Sequence, residues 1–142
     1  MYGSLDISTS GMIAQRIRYE CAAANVANQN ATLDSQGRVN PYRARHVMFA
    51  PGDPSAATPE GRELGVHVAQ IDINQGPPLY RPDPGSPYAI KEGPHAGMVP
   101  IPDIHPVQEQ MNAMEAERAY GANVVMAEAS KAMLAQALRL IA

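Results

Sequence analysis

All 13 prolines of this chain lie between Pro41 and Pro106. Proline costs about 3 kcal/mol inside a helix. No long helix can therefore cross that stretch, while the segments before and after it are free to be helical. The pattern divides the chain into an N-terminal helix (1–31), a Pro-rich middle (32–106) and a C-terminal helix (107–142). The expected fold class is α+β, with long N- and C-terminal helices packing together in a coiled-coil-like way beside a small β-rich middle domain.

The first helix is expected from about Ser4 to Asn30. Ile13, Ile17, Cys21, Ala24 and Asn28 stack on one face at three- and four-residue steps. Ser8 or Ser10 is the expected N-cap. The run of Asn25, Asn28, Gln29 and Asn30 favours caps and turns, and so marks the end. A narrow face of this kind leaves the helix marginal alone in water and in need of a partner surface.

The last helix is expected from Val107 to Ala142, with Pro106 at its first position and His105 as cap. Val107, Met111, Met114, Ala122, Val125, Ala129, Met133 and Leu140 recur at helical spacing. Thirty-six residues would span roughly 54 Å, long for a chain of this size. Its alanines permit close approach of another backbone. Glu109 and Arg139 suit the helix dipole, and Glu115–Arg118 and Glu128–Lys131 are expected (i, i+3) pairs.

In the middle, Tyr42 to Phe49 reads as a strand. Val66, Val68, Ile71 and Ile73 read as a second, with a slip in alternation that predicts a bulge. Leu79 to Arg81 reads as a third. Pro51 to Arg62 reads as a mobile loop.

The apolar residues are unusual in kind. There is no Trp and one Phe, against 8 Met. A large core is not expected, and part of the apolar surface should need a partner. The net charge of −3 is spread evenly, so no basic footprint for nucleic acid appears. No apolar run approaches the roughly 18–20 residues of a membrane span. The first residues lack the basic and apolar regions of a cleavable secretory signal. Cys21 has no partner for a disulfide and reads as a small buried residue. His46, His67, His95 and His105 are scattered without metal-ligand spacing. No nucleotide loop or nucleophile elbow exists, and Glu115 and Glu117 point to different helix faces. No enzyme activity, cofactor, metal or small-molecule substrate is expected. The terminal helices could pair within one chain, as a free-standing helical-hairpin interaction module, or pack with neighbours in an assembly. A small hydrolase using His and Asp is a third reading, with no constellation behind it.

A resemblance bears on that choice. Ser10-Gly11-Met12-Ile13-Ala14-Gln15-Arg16 followed by Ala24-Asn25-Val26-Ala27-Asn28 resembles the amino-terminal signature of flagellar rod and hook proteins. Pro41-Tyr42-Arg43-Ala44 is similar to that family's entry to its first strand. Leu79 to Pro87, Val99 to Ile104 and Met111 to Val124 resemble segments of the short proximal-rod, FlgC type. The likeness covers nearly the whole chain except Pro51–Arg62. Gly121 stands where the family has Gln, weakening the last helix by about 1 kcal/mol relative to Ala, and Asp103 stands where it has Asn.

The resemblance implies a structural subunit of the flagellar basal-body rod. It would be exported without a cleavable signal and assembled helically around the export channel, in the periplasmic space, into a torque-transmitting shaft. Its partners would be other copies of itself, other rod proteins and, during secretion, the export apparatus. Its terminal helices would be poorly ordered before export. Asn25 and Asn28 would make helix-end hydrogen bonds, and Arg118, Tyr120 and Asn123 polar contacts between neighbours. Gln15, Tyr42, Arg43, Met111 and Met114 complete the expected assembly contacts. Ala24, Ala122 and Ala129, with Met111, Met114 and Met133 filling gaps, would give the shaft rigidity.

Overall fold

The computed structural model describes residues 2–141. All the prolines but Pro106, the first residue of α3, fall between two long helices, α1 (Tyr2–Ala27) and α3 (Pro106–Ile141). The strands are β1 (Arg45–Pro51), β2 (Val66–Ile73), β3 (Leu79–Pro82) and β4 (Met98–Ile101), with a short helix α2 (Pro59–Leu64) between β1 and β2.

Pro106 opens α3, and the His105 carbonyl accepts the Glu109 N–H at 3.1 Å, which is the expected cap position. Ala142, the last residue of the expected helix, lies outside the described residues. Helix α1 begins at Tyr2, so Ser8 and Ser10 are interior residues and not caps. Both are buried. The Ser10 hydroxyl donates to the Ile7 carbonyl at 2.7 Å and accepts the Val66 N–H at 3.1 Å, pinning α1 to β2. At the other end the Asn28 amide donates to the Ala24 carbonyl at 2.8 Å, and the Asn28 carbonyl accepts the Ala31 N–H at 3.0 Å.

The strands form two antiparallel ribbons, β1–β2 and β3–β4. In the first, Met48 pairs with Gln70 and Phe49 with Val68, which leaves Ala69 as the extra residue of a bulge. This is the slip visible in the alternation. The first strand starts at Arg45 and not at Tyr42, because the Tyr42 N–H is taken by the Ala31 carbonyl at 2.9 Å. Strand β4 was not expected. It carries Pro100 within a two-stranded ribbon, where one side of each strand needs no ladder partner.

Residues 51–62 are not a featureless loop. Thr58 caps α2 by accepting the Gly61 N–H at 3.1 Å, and Pro59 occupies the first turn. The Asp6 carboxylate on α1 accepts from both the Thr58 N–H (2.9 Å) and the Thr58 hydroxyl (2.7 Å). A methyl group at Gly61 would stand 2.8 Å from Asp6 Cβ, so glycine is what permits the approach. The insertion is thereby clasped to the first turns of α1.

The core is small, as the composition implies. Its buried apolar members are Ala14, Ala22, Ala44, Val99, Ile104, Ala116 and Ala127. No helix among the described residues is long and apolar enough to cross a membrane.

Thr58→Ala removes both the cap and one bond to Asp6. It should lower unfolding free energy by about 1 kcal/mol, read from the urea midpoint, and accelerate amide exchange in residues 58–65 ahead of the β1–β2 ribbon.

Candidate assembly surfaces on the paired helices

Helices α1 and α3 run antiparallel, and their meeting line is built from small and polar residues. Ser4 donates to the Ser130 hydroxyl at 3.2 Å. Asn123 lies over Gly11, where a methyl group would stand 2.7 Å from its Oδ1. Arg18 reaches Glu115 at 2.8 Å and Asn112 at 3.5 Å. Asn25 donates to Glu109 at 2.8 Å. The α1 members 4, 11, 18 and 25 rise in steps of seven while 130, 123, 116 and 109 fall in steps of seven. Ala116, the α3 residue level with Arg18 in this register, is 0% exposed. Glycine and alanine at these steps let the backbones approach, and hydroxyl, amide and carboxylate groups fill the remainder.

Asn25 is also 0% exposed, and all its hydrogen-bonding capacity is used. Its amide donates to the Arg45 carbonyl (2.9 Å) and to Glu109 Oε2 (2.8 Å). Its carbonyl accepts the Arg45 N–H (2.9 Å) and the Tyr42 hydroxyl (3.2 Å). One side chain thus joins α1, α3, the start of β1 and the Pro41–Ala44 segment. The buried Glu109 carboxylate takes a further bond from Asn112 at 3.3 Å. Burial raises the Tyr42 phenol above its usual range and so keeps it a donor. Burial also raises the nearby Cys21 thiol, against the lowering field of Arg45.

The apolar repeats read from the sequence do not form this seam. Ile13 is half exposed, and Ile17, Cys21, Ala24 and Asn28 lie away from the most buried line. On α3, Val107, Met111, Met114, Val125, Met133 and Leu140 are all exposed, with Met114 at 52% and Val125 at 62%. Ala122 and Ala129 are exposed too, so neither packs between the chain's own helices, while Ala24 is half-buried. The charge pairing also differs from expectation. Glu115 bonds Arg18 across the seam instead of Arg118, and no Glu128–Lys131 pair forms among the described residues.

The expected contact residues therefore separate into two groups. Met111, Met114, Arg118, Tyr120 and Arg43 face outward, Arg43 donating to the Asn74 carbonyl at 3.1 Å. Asn25, Tyr42 and Asn28 are spent inside the chain, as is Asn123, which donates to the Ala119 carbonyl at 2.8 Å. Gln15 is half-buried, and its Oε1 has no hydrogen-bond partner among the described residues. The seam roles of Gly11, Glu109, Asn112, Ala116 and the Ser4–Ser130 pair escaped the sequence reading. The signal that could have found them is the seven-residue spacing of small and polar residues.

The histidines remain apart. His95 stacks on Tyr80 with centroids 3.9 Å apart, His67 lies 2.6 Å from the Gly52 carbonyl oxygen, and His46 is exposed on β1. Among the described residues no three His, Cys, Asp or Glu side chains could hold a metal ion.

Residues 5–32 match the family described as flagella basal body rod protein. Over the longer span the chain is 36% identical to the flagellar basal-body rod protein FlgC of Escherichia coli (O6:H1), covering 95% of this chain and 93% of that one. It is 31% identical to FlgC of Borreliella burgdorferi, with 99% and 97% covered. It is 30% identical to FlgC of Bacillus subtilis, with 98% and 97% covered.

Asn25→Ala leaves Glu109 and the Arg45 backbone short of partners in a buried setting. It should cost about 3 kcal/mol in urea unfolding, whereas Met114→Ala on the outward face should change stability by less than about 0.5 kcal/mol. Cys21 should react with iodoacetamide at pH 8 more slowly in the folded chain than in the urea-unfolded one, because burial holds back the thiolate.

Proposed function

This chain belongs to the FlgC-type flagellar basal-body rod proteins, and we propose that it assembles helically through the outward faces of α1 and α3 into the shaft around the export channel. It is a structural subunit of the basal body. Residues 1–31 and 107–142 form the inner tube, and 32–106 the domain outside it. The partners are other copies of this chain and other rod proteins, with the export apparatus engaged during secretion. The subunit acts in the periplasmic space. No catalytic step is part of this role.

The observation that carries the reading is that the large apolar side chains of α3 lie exposed while its small residues meet α1. Its inward side is occupied by Ala116, Asn123, Ala127 and Ser130, and its outward side by Val107, Met111, Met114, Val125, Met126 and Met133. A helix in a self-sufficient monomer places its apolar stripe inward. An apolar stripe left outside along a helix this long marks a surface meant to be covered. Neighbours at about 25 cal/mol per Å² of buried apolar surface offset the ordering cost of assembly, and a coiled-coil-like geometry fits both faces. Met111, Met114, Arg118, Tyr120 and Arg43 touch neighbours directly. Asn25, Asn28, Tyr42 and Asn123 act by holding the two helices and the β region in a fixed relation, and Gln15 meets a neighbour. The outward methionines adapt to the surfaces they meet, and the close-packed alanines limit bending under torque.

A free-standing hairpin module is the second reading, favoured by the internal pairing of α1 with α3. Deleting the gene and imaging basal bodies by electron microscopy separates the two. The rod reading expects rods that stop at the inner-membrane ring, with no hooks and no swimming. Complete rods and normal swimming in a strain without a second copy would support the hairpin module.

A further inference from the structure

We propose that a slot between α1 and α3 on one copy receives Arg118 from the outward face of α3 on a second copy. This rests on the rod reading and names the partner, the socket and the side chain that enters it. The slot has a volume of about 230 Å³ and is walled by Gln15, Arg16 and Tyr19 on α1 and by Ala116, Glu117 and Tyr120 on α3. It is smaller than the roughly 300–1,000 Å³ of a small-molecule site, and suits one long side chain. The β1–β2 ribbon and α2 also pack against α1, but on its other side. Tyr19 lies nine residues, about two and a half turns, beyond Ser10, whose hydroxyl meets β2, so the slot opens away from the β region.

The walls select a cation. Tyr19 and Tyr120 are exposed and supply two aromatic rings, which attract a guanidinium over their faces. Glu117 is exposed and has no ion pair among the described residues. The one base in the wall, Arg16, is turned to Glu20 at 3.5 Å and leaves the Glu117 carboxylate unanswered. The Gln15 amide makes no hydrogen bond among the described residues, and its Oε1 is buried without a partner. Turning that amide to bring its oxygen into the slot breaks no bond.

Arg118 is the cation that needs such a socket. It is the single charge among the outward residues Val107, Met111, Met114, Arg118 and Val125, is exposed, and has no ion pair among the described residues. Covering that apolar stripe takes Arg118 out of water, which is costly unless an acceptor lies opposite. A carboxylate and an amide oxygen between two rings answer the planar fork of arginine better than the point charge of lysine. With Arg118 seated, Met111, Met114 and Val125 on the same stripe close over the rims of the slot.

Arg118 and Tyr120 are two residues apart, which sets them about 160° apart around α3. A copy therefore cannot fill its own slot, and two copies cannot fill each other's through a single two-fold face. The contact is heterologous. Each copy carries the plug on one side and the socket on another, so the contact propagates into an array.

The test complements the deletion strain with Glu117→Arg, Arg118→Glu and the double variant, each checked for folding by circular dichroism. The double variant keeps the composition and net charge of the natural chain. Swimming and the presence of the chain in purified basal bodies are scored. Each single reversal should lose both, and the double reversal should regain them. In the natural background, a benzophenone amino acid in place of Arg16, at the rim of the slot, should on illumination of basal bodies join the chain to residues 107–125 of a second copy, located by mass spectrometry of the dimer. Wild-type behaviour of both single variants would overturn the proposal. So would single variants that fail together with an unrescued double variant, or a benzophenone product that contains only a different rod protein. If a charge variant does not fold, the cross-link decides alone, and its absence from residues 107–125 of a second copy overturns the proposal. A deletion strain that swims normally with intact rods would instead defeat the rod reading itself.

Discussion

Asn25 is the joint on which the rest of the molecule depends. Its four hydrogen bonds reach Glu109 on α3, the Arg45 backbone and the Tyr42 hydroxyl, and none of its surface meets water. An asparagine is suited to this place because it presents two donors and two acceptors within one planar group. A buried network of this kind is stabilising when complete and destabilising when one member is lost. Here it fixes the angle between the helical pair and the β region, with the Asp6–Thr58 clasp holding the other end of α1 to the same body.

The seam above that joint favours precise alignment over adhesion. Small residues bring the helices close, while polar pairs at steps of seven select one alignment and penalise slippage. Little apolar surface is used in the process. The large apolar side chains left over lie chiefly on the exposed sides of α3, where a neighbour can cover them. In the proposed assembly, alignment within the chain and adhesion between chains fall to opposite faces of α3. The internal geometry can be set before assembly, and the sticky surface is presented at a defined angle.

What could be read in the sequence follows from this division. Local rules worked where local chemistry decides. Proline bounded the helices, Pro106 and His105 marked the start of α3, and the slip between Val68 and Ile71 marked the bulge at Ala69. The apolar repeats were seen, but the sequence leaves open whether they meet a partner within the chain or outside it; the usual rule buries such a stripe within its own chain, whereas on α3 it lies exposed. The true seam gives no hydrophobic signal, being serine, glycine, arginine and asparagine on α1. Helix α2 was missed because it is six residues long and depends on Asp6, 52 positions away from Thr58. Strand β4 was missed because of Pro100 within it and Pro102 just after it. Of the expected contact residues, Met111, Met114, Arg118 and Tyr120 were placed by pattern. Asn25 and Asn123, expected as helix-end and neighbour contacts, are hydrogen-bonded within the chain.

The most direct measurement is thiol accessibility on the outward face of α3. A Met114→Cys variant in a Cys21→Ser background would be labelled with a maleimide, both as free subunit and in purified basal bodies. Rapid labelling of the free subunit and strong protection in the rod is the expected result. Equal labelling in the two states would mean that the stripe stays uncovered, and would contradict assembly through this face.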